Sequence, residues 1–141
     1  MFKRLLAPID LSEPEMTKQG VDAALEFARL FDAQLHLLNV QTIMPVLMFD
    51  YVPAGFDERL RETIEQELAE LAARIDFPKD RLSTQLRFGA VYPEVLAEAE
   101  DWGADLIVLC SHRPTMATYL IGSNAKTIVR HAKCSVLVVR R

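Results

Sequence analysis

No stretch of this 141-residue chain stays apolar for the roughly 20 residues that cross a bilayer, so a membrane-spanning helix is not expected. Lys3 and Arg4 precede a short apolar run, but Pro8 and Asp10 cut that run too early for a secretory signal. Cysteine is scarce: Cys110 and Cys134 stand far apart and make no CxxC unit. A disulfide framework is therefore not expected, and a reducing, cytoplasmic setting is. An excess of basic charge is also missing. Sixteen Lys and Arg stand against twenty Asp and Glu, for a formal net charge of -4. That balance excludes a general nucleic-acid binder, although a local basic cluster can still hold a phosphate. The three histidines, His36, His112 and His131, have no metal-ligand spacing. No internal repeat, low-complexity tract or linker interrupts the chain, which reads as one domain over residues 1–141.

What is present is an alternation of two periods. Leu5 to Ile9, Gln34 to Val40, Leu82 to Phe88, Asp105 to Cys110 and Ser135 to Val139 are short and apolar enough for buried strands. Between them, apolar residues recur at helical spacing. Val21, Ala24, Leu25, Ala28, Leu30 and Phe31 mark the first helix, and Leu60, Ile64, Leu68, Leu71 and Ile75 the second. Pro93 opens a third helix that Gly103 closes, and Gly122-Ser123 opens a fourth ending near His131. Ser12 and Glu15 have the S-x-x-E spacing of a capping box for the first helix. The order β-α-β-α-β-α-β-α-β implies an α/β fold, an open five-stranded parallel sheet with helices on both faces; the expected strand order is 3-2-1-4-5. The apolar stretch from about Gln41 to Gly55 reads as a long functional loop, and Ser111 to Ile121 as a second loop.

Ligands of such sheets bind beyond the carboxyl ends of the strands, where the strand order reverses. Here that point lies between strands 1 and 4, and gathers Pro8 to Ser12, Val40 with Gln41, Gly89 with Ala90, and Cys110 to Arg113. Gly122-Ser123 at a helix start offers free amides and a partial positive charge to a phosphate. An ordinary helix cap is the plainer reading of that pair taken alone. Asp10 has the chemistry to bind a ribose or adenine, or to hold a metal; it equally suits a turn. His112 and Arg113 have surface readings beside their ligand readings, and Cys110 suits a packed apolar position. Other phosphate chemistries are excluded. There is no G-x-x-x-x-G-K-[ST] or G-x-G-x-x-G loop, no nucleophile elbow and no paired catalytic carboxylates. A phosphorelay receiver needs an aspartate at the end of strand 3, where Phe88-Gly89 stands.

Pro8-Ile9-Asp10-Leu11-Ser12-Glu13, Gly103-Ala104-Asp105-Leu106-Ile107-Val108, Ser111-His112, Leu120-Ile121-Gly122-Ser123 and Val129-Arg130-His131-Ala132 together resemble the universal stress protein family. Gly89 with Pro93 is similar to its G-x-P segment after strand 3. The resemblance runs over essentially the whole chain, in order. It implies a module of the stress response that binds an adenine nucleotide, ATP or AMP, with or without Mg²⁺, and has at most weak ATP hydrolysis. By the resemblance Pro8, Ile9, Asp10 and Val40 line the adenine and ribose pocket with Ser12 nearby, and Gly89 lets the ligand pass strand 3. Ser111, His112 and Arg113 approach the ribose and phosphates, which Gly122, Ser123 and Asn124 hold. The family's nucleotide signature is G-x2-G-x9-G-[ST]. Cys110 and Arg113 replace its first two glycines, and eight residues rather than nine precede Gly122. Arg113 is expected to supply charge where glycine supplied backbone access. The alternative is a nucleotide-free dimeric interaction module that meets partners through the loop near Met44 to Phe56. Either way the resemblance implies a homodimer through Val136 to Val139, with higher oligomers open.

Overall fold

The computed structural model describes residues 1–42, 56–111 and 123–140. Its elements run β1 (Arg4–Ile9), α1 (Pro14–Leu30), β2 (Gln34–Gln41), α2 (Phe56–Arg74), β3 (Leu82–Phe88), α3 (Val91–Trp102), β4 (Leu106–Ser111), α4 (Ser123–His131) and β5 (Ser135–Arg140). A 3-10 turn at Lys79–Arg81 leads into β3. The five strands are all parallel, in the expected order β3-β2-β1-β4-β5.

Strand alternation sends successive side chains to opposite faces, and both faces are covered. Leu5, Ala7, Leu35, Leu37, Leu106 and Val108 pack beneath α1 and α2, which contribute Val21, Ala24, Ala28, Ile64 and Leu68. Leu6, Leu38, Ile107 and Leu109 pack beneath α3 and α4, against Val95, Ala99 and Ile128. Leu5, Leu6, Leu35, Leu37 and Leu38 are fully buried, each worth about 1.5–3 kcal/mol relative to exposure.

The amino ends of the strands are tightly closed. Both carboxylate oxygens of Asp105 accept amides of β1, Lys3 N–H at 2.7 Å and Arg4 N–H at 3.0 Å. The Asp105 amide donates back to the Arg4 carbonyl at 2.9 Å, and the Gln34 amide donates to the Lys3 carbonyl at 2.9 Å. Gly103 ends α3 in the left-handed region (φ 79°), with its amide donating to Ala99 O, a conformation glycine adopts without strain.

The expected capping box does not form. Pro14 occupies the first turn, so the cap position falls on Glu13, which makes no side-chain cap bond. Ser12 lies one residue too early, and its hydroxyl donates to Asp10 Oδ1 at 2.6 Å instead. In α2, Ile64 and Leu68 are buried as the periodicity implies, but Leu60 is exposed and Ile75 lies beyond the helix end.

Candidate functional site

At the carboxyl ends the sheet opens. β1 keeps register with β2 as far as Ile9–Asn39, but its pairing with β4 covers only Leu5–Leu106 and Leu6–Ile107. Pro8, with no N–H to contribute, sits where that pairing has ended. The gap is a cavity of about 760 Å³ at the switch point, within the roughly 300–1,000 Å³ of small-molecule sites.

Three chemistries line it. Ile9, Leu38, Val40, Val91 and Val95 make an apolar wall. Asp10 is the one carboxylate of the described lining. Its Oδ1 accepts the Ser12 amide at 2.9 Å and the Ser12 hydroxyl, which fixes the turn after β1. Thr17 pins the same turn to α1: its hydroxyl donates to the Asp10 carbonyl at 2.5 Å and accepts the Asp10 amide at 3.2 Å. The third element is the first turn of α4. Asn124 and Ala125 reach the lining, and no acidic residue there offsets the helix's positive end. Ser111, the last residue of β4, completes the set. Its hydroxyl oxygen is buried and has no hydrogen-bond partner among the described residues, an arrangement that costs about 1–3 kcal/mol unless something binds there.

Of the residues singled out from sequence, Pro8, Ile9, Asp10, Ser12, Val40, Ser111 and Asn124 meet around this cavity. Ser123 begins α4. His112, Arg113 and Gly122 lie outside the described residues, as does most of the loop near Met44 to Phe56. Gly89 does not reach the described lining. It has φ +149°, and a Cβ there would come within 2.7 Å of Glu94 Oε1. Its glycine is therefore explained by α3 packing on the end of β3.

Thr17 and Gly20 were not singled out, and both line the cavity. Thr17 continues the buried stripe of Val21, Ala24 and Ala28, so helical spacing marks it even though its hydroxyl hides it from an apolar search. Gly20 faces Cys110: a Cβ on Gly20 would lie 3.2 Å from the Cys110 Cβ. The side chain that replaces glycine at position 110 thus finds room against a glycine of α1. Behind the wall, buried Asn39 ties the strand ends together. Its Nδ2 donates to Ile9 O at 3.0 Å, and its Oδ1 accepts from Gln41 Nε2 at 2.6 Å.

A family profile described as the universal stress protein family matches residues 1–140. The chain belongs to the universal stress protein family. It is 36% identical over 143 residues to universal stress protein G of Shigella flexneri, covering 99% of this chain and 100% of that protein. It is 30% identical to universal stress protein A homolog 2 of Coxiella burnetii, over 99% of this chain and 95% of that protein. Solved structures share the fold. Universal stress protein UspA from Lactobacillus plantarum superposes with a TM-score of 0.69 at 24% identity, covering 98% of this chain and 97% of that one. A universal stress protein solved in complex with cAMP superposes with a TM-score of 0.65 at 21% identity, over 98% of this chain and 97% of that one. Among the described residues, no helix of this family member is long and apolar enough to cross a membrane.

Proposed function

We propose that the crevice binds an adenine nucleotide, ATP or AMP, and that the protein acts in the stress response through that binding. The observation that carries the reading is the buried Ser111 hydroxyl, unpartnered among the described residues, on a cavity with a graded lining. The apolar wall of Ile9, Leu38 and Val40 suits a base, the Asp10 carboxylate suits ribose hydroxyls, and the start of α4 suits phosphates. The cAMP complex of a protein with this fold supports the same ligand class. Among the described residues no three His, Cys, Asp or Glu gather to hold a metal. An accompanying Mg²⁺ would therefore be held chiefly by the phosphates and water, with Asp10 as the protein's carboxylate. No imidazole stands in the described lining and its single carboxylate is engaged in a turn, so any ATP hydrolysis is slow.

The second reading, a nucleotide-free dimeric interaction module, is favoured by the Cys110 side chain in the lining. Both readings share an interface. β5 is an outer strand, and Val136, Leu137, Val138 and Val139 are only half-buried. An apolar sheet edge of this kind is protected by pairing with another copy, so we expect a homodimer through β5. Among the described residues Cys110 and Cys134 form no disulfide, which fits a reducing, cytoplasmic setting.

Native mass spectrometry of freshly purified protein, followed by calorimetric titration with ATP and Mg²⁺, separates the readings. Co-purified or saturably bound adenine nucleotide is the expected result. A folded dimer that binds nothing at millimolar ATP would leave the interaction module.

A further inference from the structure

The face of the sheet beneath α3 contains a chain of ionisable groups that the nucleotide crevice does not use. His36 of β2 and Ser83 of β3 are register partners, with His36 Nδ1 2.6 Å from Ser83 Oγ. His36 Nε2 lies 2.9 Å from Glu98 Oε1. The second Glu98 oxygen lies 2.9 Å from Arg87 Nε, and Arg87 continues to Glu94 at 3.3 Å and Asp101 at 2.9 Å, both on α3. The imidazole is stacked on Trp102, with centroids 4.6 Å apart and planes 13° apart. The Arg4 guanidinium of β1 stands 4.1 Å from the same indole and donates to the Trp102 carbonyl at 2.7 and 3.0 Å. His36 is 4% exposed and Glu98 8%, whereas Ser83 is exposed.

The hydrogen-bond pattern fixes the protons. Glu98, ion-paired with the Arg87 guanidinium, serves as an acceptor. His36 Nε2 therefore carries the hydrogen it donates to Glu98, and Nδ1 accepts the Ser83 hydroxyl. Every group is satisfied with the ring neutral. A second ring proton forces Ser83 to become the acceptor. It also adds a buried cation between Arg4 and Arg87, next to a carboxylate already shared with Arg87.

We infer that the Ser83–His36–Glu98–Arg87 chain is an acid-sensitive latch, which fastens α3 and the β3 edge to the centre of the sheet at neutral pH and releases them when the ring is protonated. Burial holds the imidazole below its ordinary value of 6.5, against the raising pull of the Glu98 hydrogen bond and charge, and Arg4 adds to the lowering. The sign follows from linkage. The unfolded ring takes its proton first, so the stabilisation is complete above the ordinary imidazole range. It is lost as pH falls from 6.5 towards the lower folded value.

Trp102 is the only tryptophan and lies on the ring, so its emission reads the proton directly, because imidazolium quenches indole more strongly than imidazole does. Between about pH 7.5 and 5 the emission is expected to step, with its midpoint below the ordinary imidazole value. Hydrogen-exchange protection factors of α3 amides, corrected for intrinsic rates, should fall over the same range while those of β4 persist. His36→Phe should abolish the step. Glu98→Gln keeps a hydrogen-bonding group but removes the charge that favours imidazolium, so it should move the midpoint further down. A step that survives in His36→Phe, an unchanged or raised midpoint in Glu98→Gln, or α3 protection that falls only together with β4 would overturn the latch.

Discussion

The two ends of the sheet are built from the same five strands and behave as opposites. At the amino ends, backbone and side-chain donors find acceptors: Asp105 takes two amides of β1, Lys3 and Arg4 return carbonyls to Gln34 and Asp105, and Arg4 caps Trp102. At the carboxyl ends, β1 and β4 part, a cavity opens, and the Ser111 hydroxyl is buried without a partner among the described residues. Polar groups satisfied from within hold a fold together; those left over mark where something else is to bind. On the function proposed above, the amino end serves stability and the carboxyl end serves binding.

Substitutions at the two ends should therefore separate along those lines. The largest effect is expected at the closed end. Asp105→Ala strips two amides of their acceptor and should cost about 3 kcal/mol in urea denaturation, with nucleotide affinity unchanged in the fraction that is folded. Asp10→Ala at the open end should weaken ATP at least about tenfold by calorimetry, or roughly 1.4 kcal/mol, while the protein stays folded with its turn loosened. Ser111→Ala should invert the usual cost of a buried substitution. Stability should be unchanged or higher by up to about 1 kcal/mol, because an unsatisfied hydroxyl is removed, yet nucleotide should bind a few-fold more weakly. A Ser111→Ala protein with lower stability and unaltered binding would break the contrast. The smallest effect belongs to neither end: the Lys18–Asp22 pair on α1 is solvent-exposed, and Lys18→Ala should change stability by less than about 0.5 kcal/mol.

Much of the architecture was legible because it rests on local periodicity. Two covered faces make the strands apolar at every position, as in Leu5 to Ile9 and Leu106 to Leu109, and the helices show one inner stripe each. The alternation called for a parallel sheet with right-handed crossovers and helices on both faces, and the observed order is the one expected. The capping box misled because Pro14 shifted the helix start by one residue and Asp10 competed for the Ser12 hydroxyl. The crevice was legible at Asp10, Val40 and Ser111, which stand at strand ends. Thr17 and Gly20 were not, since they project from the middle of a helix turn whose facing strand is known only after folding. Gly89 lies outside the described lining, beside the Glu94 side chain and at a φ of +149°. His36 and Glu98 stand 62 positions apart, so their pairing is a property of tertiary packing. One signal was available: a histidine between Leu35 and Leu37, in a strand buried on both sides, needs a buried partner.

The contrast between the ends is tested most directly by amide chemical-shift mapping during titration with ATP and Mg²⁺. The account predicts that amides of Ile9 to Glu13, Glu15 to Thr17, Val40 to Thr42, Cys110, Ser111, Asn124 and Ala125 shift and saturate together. Those of Lys3, Arg4, Gln34 and Asp105 should stay still. Shifts centred on the amino end, or none at all at millimolar nucleotide, would contradict it.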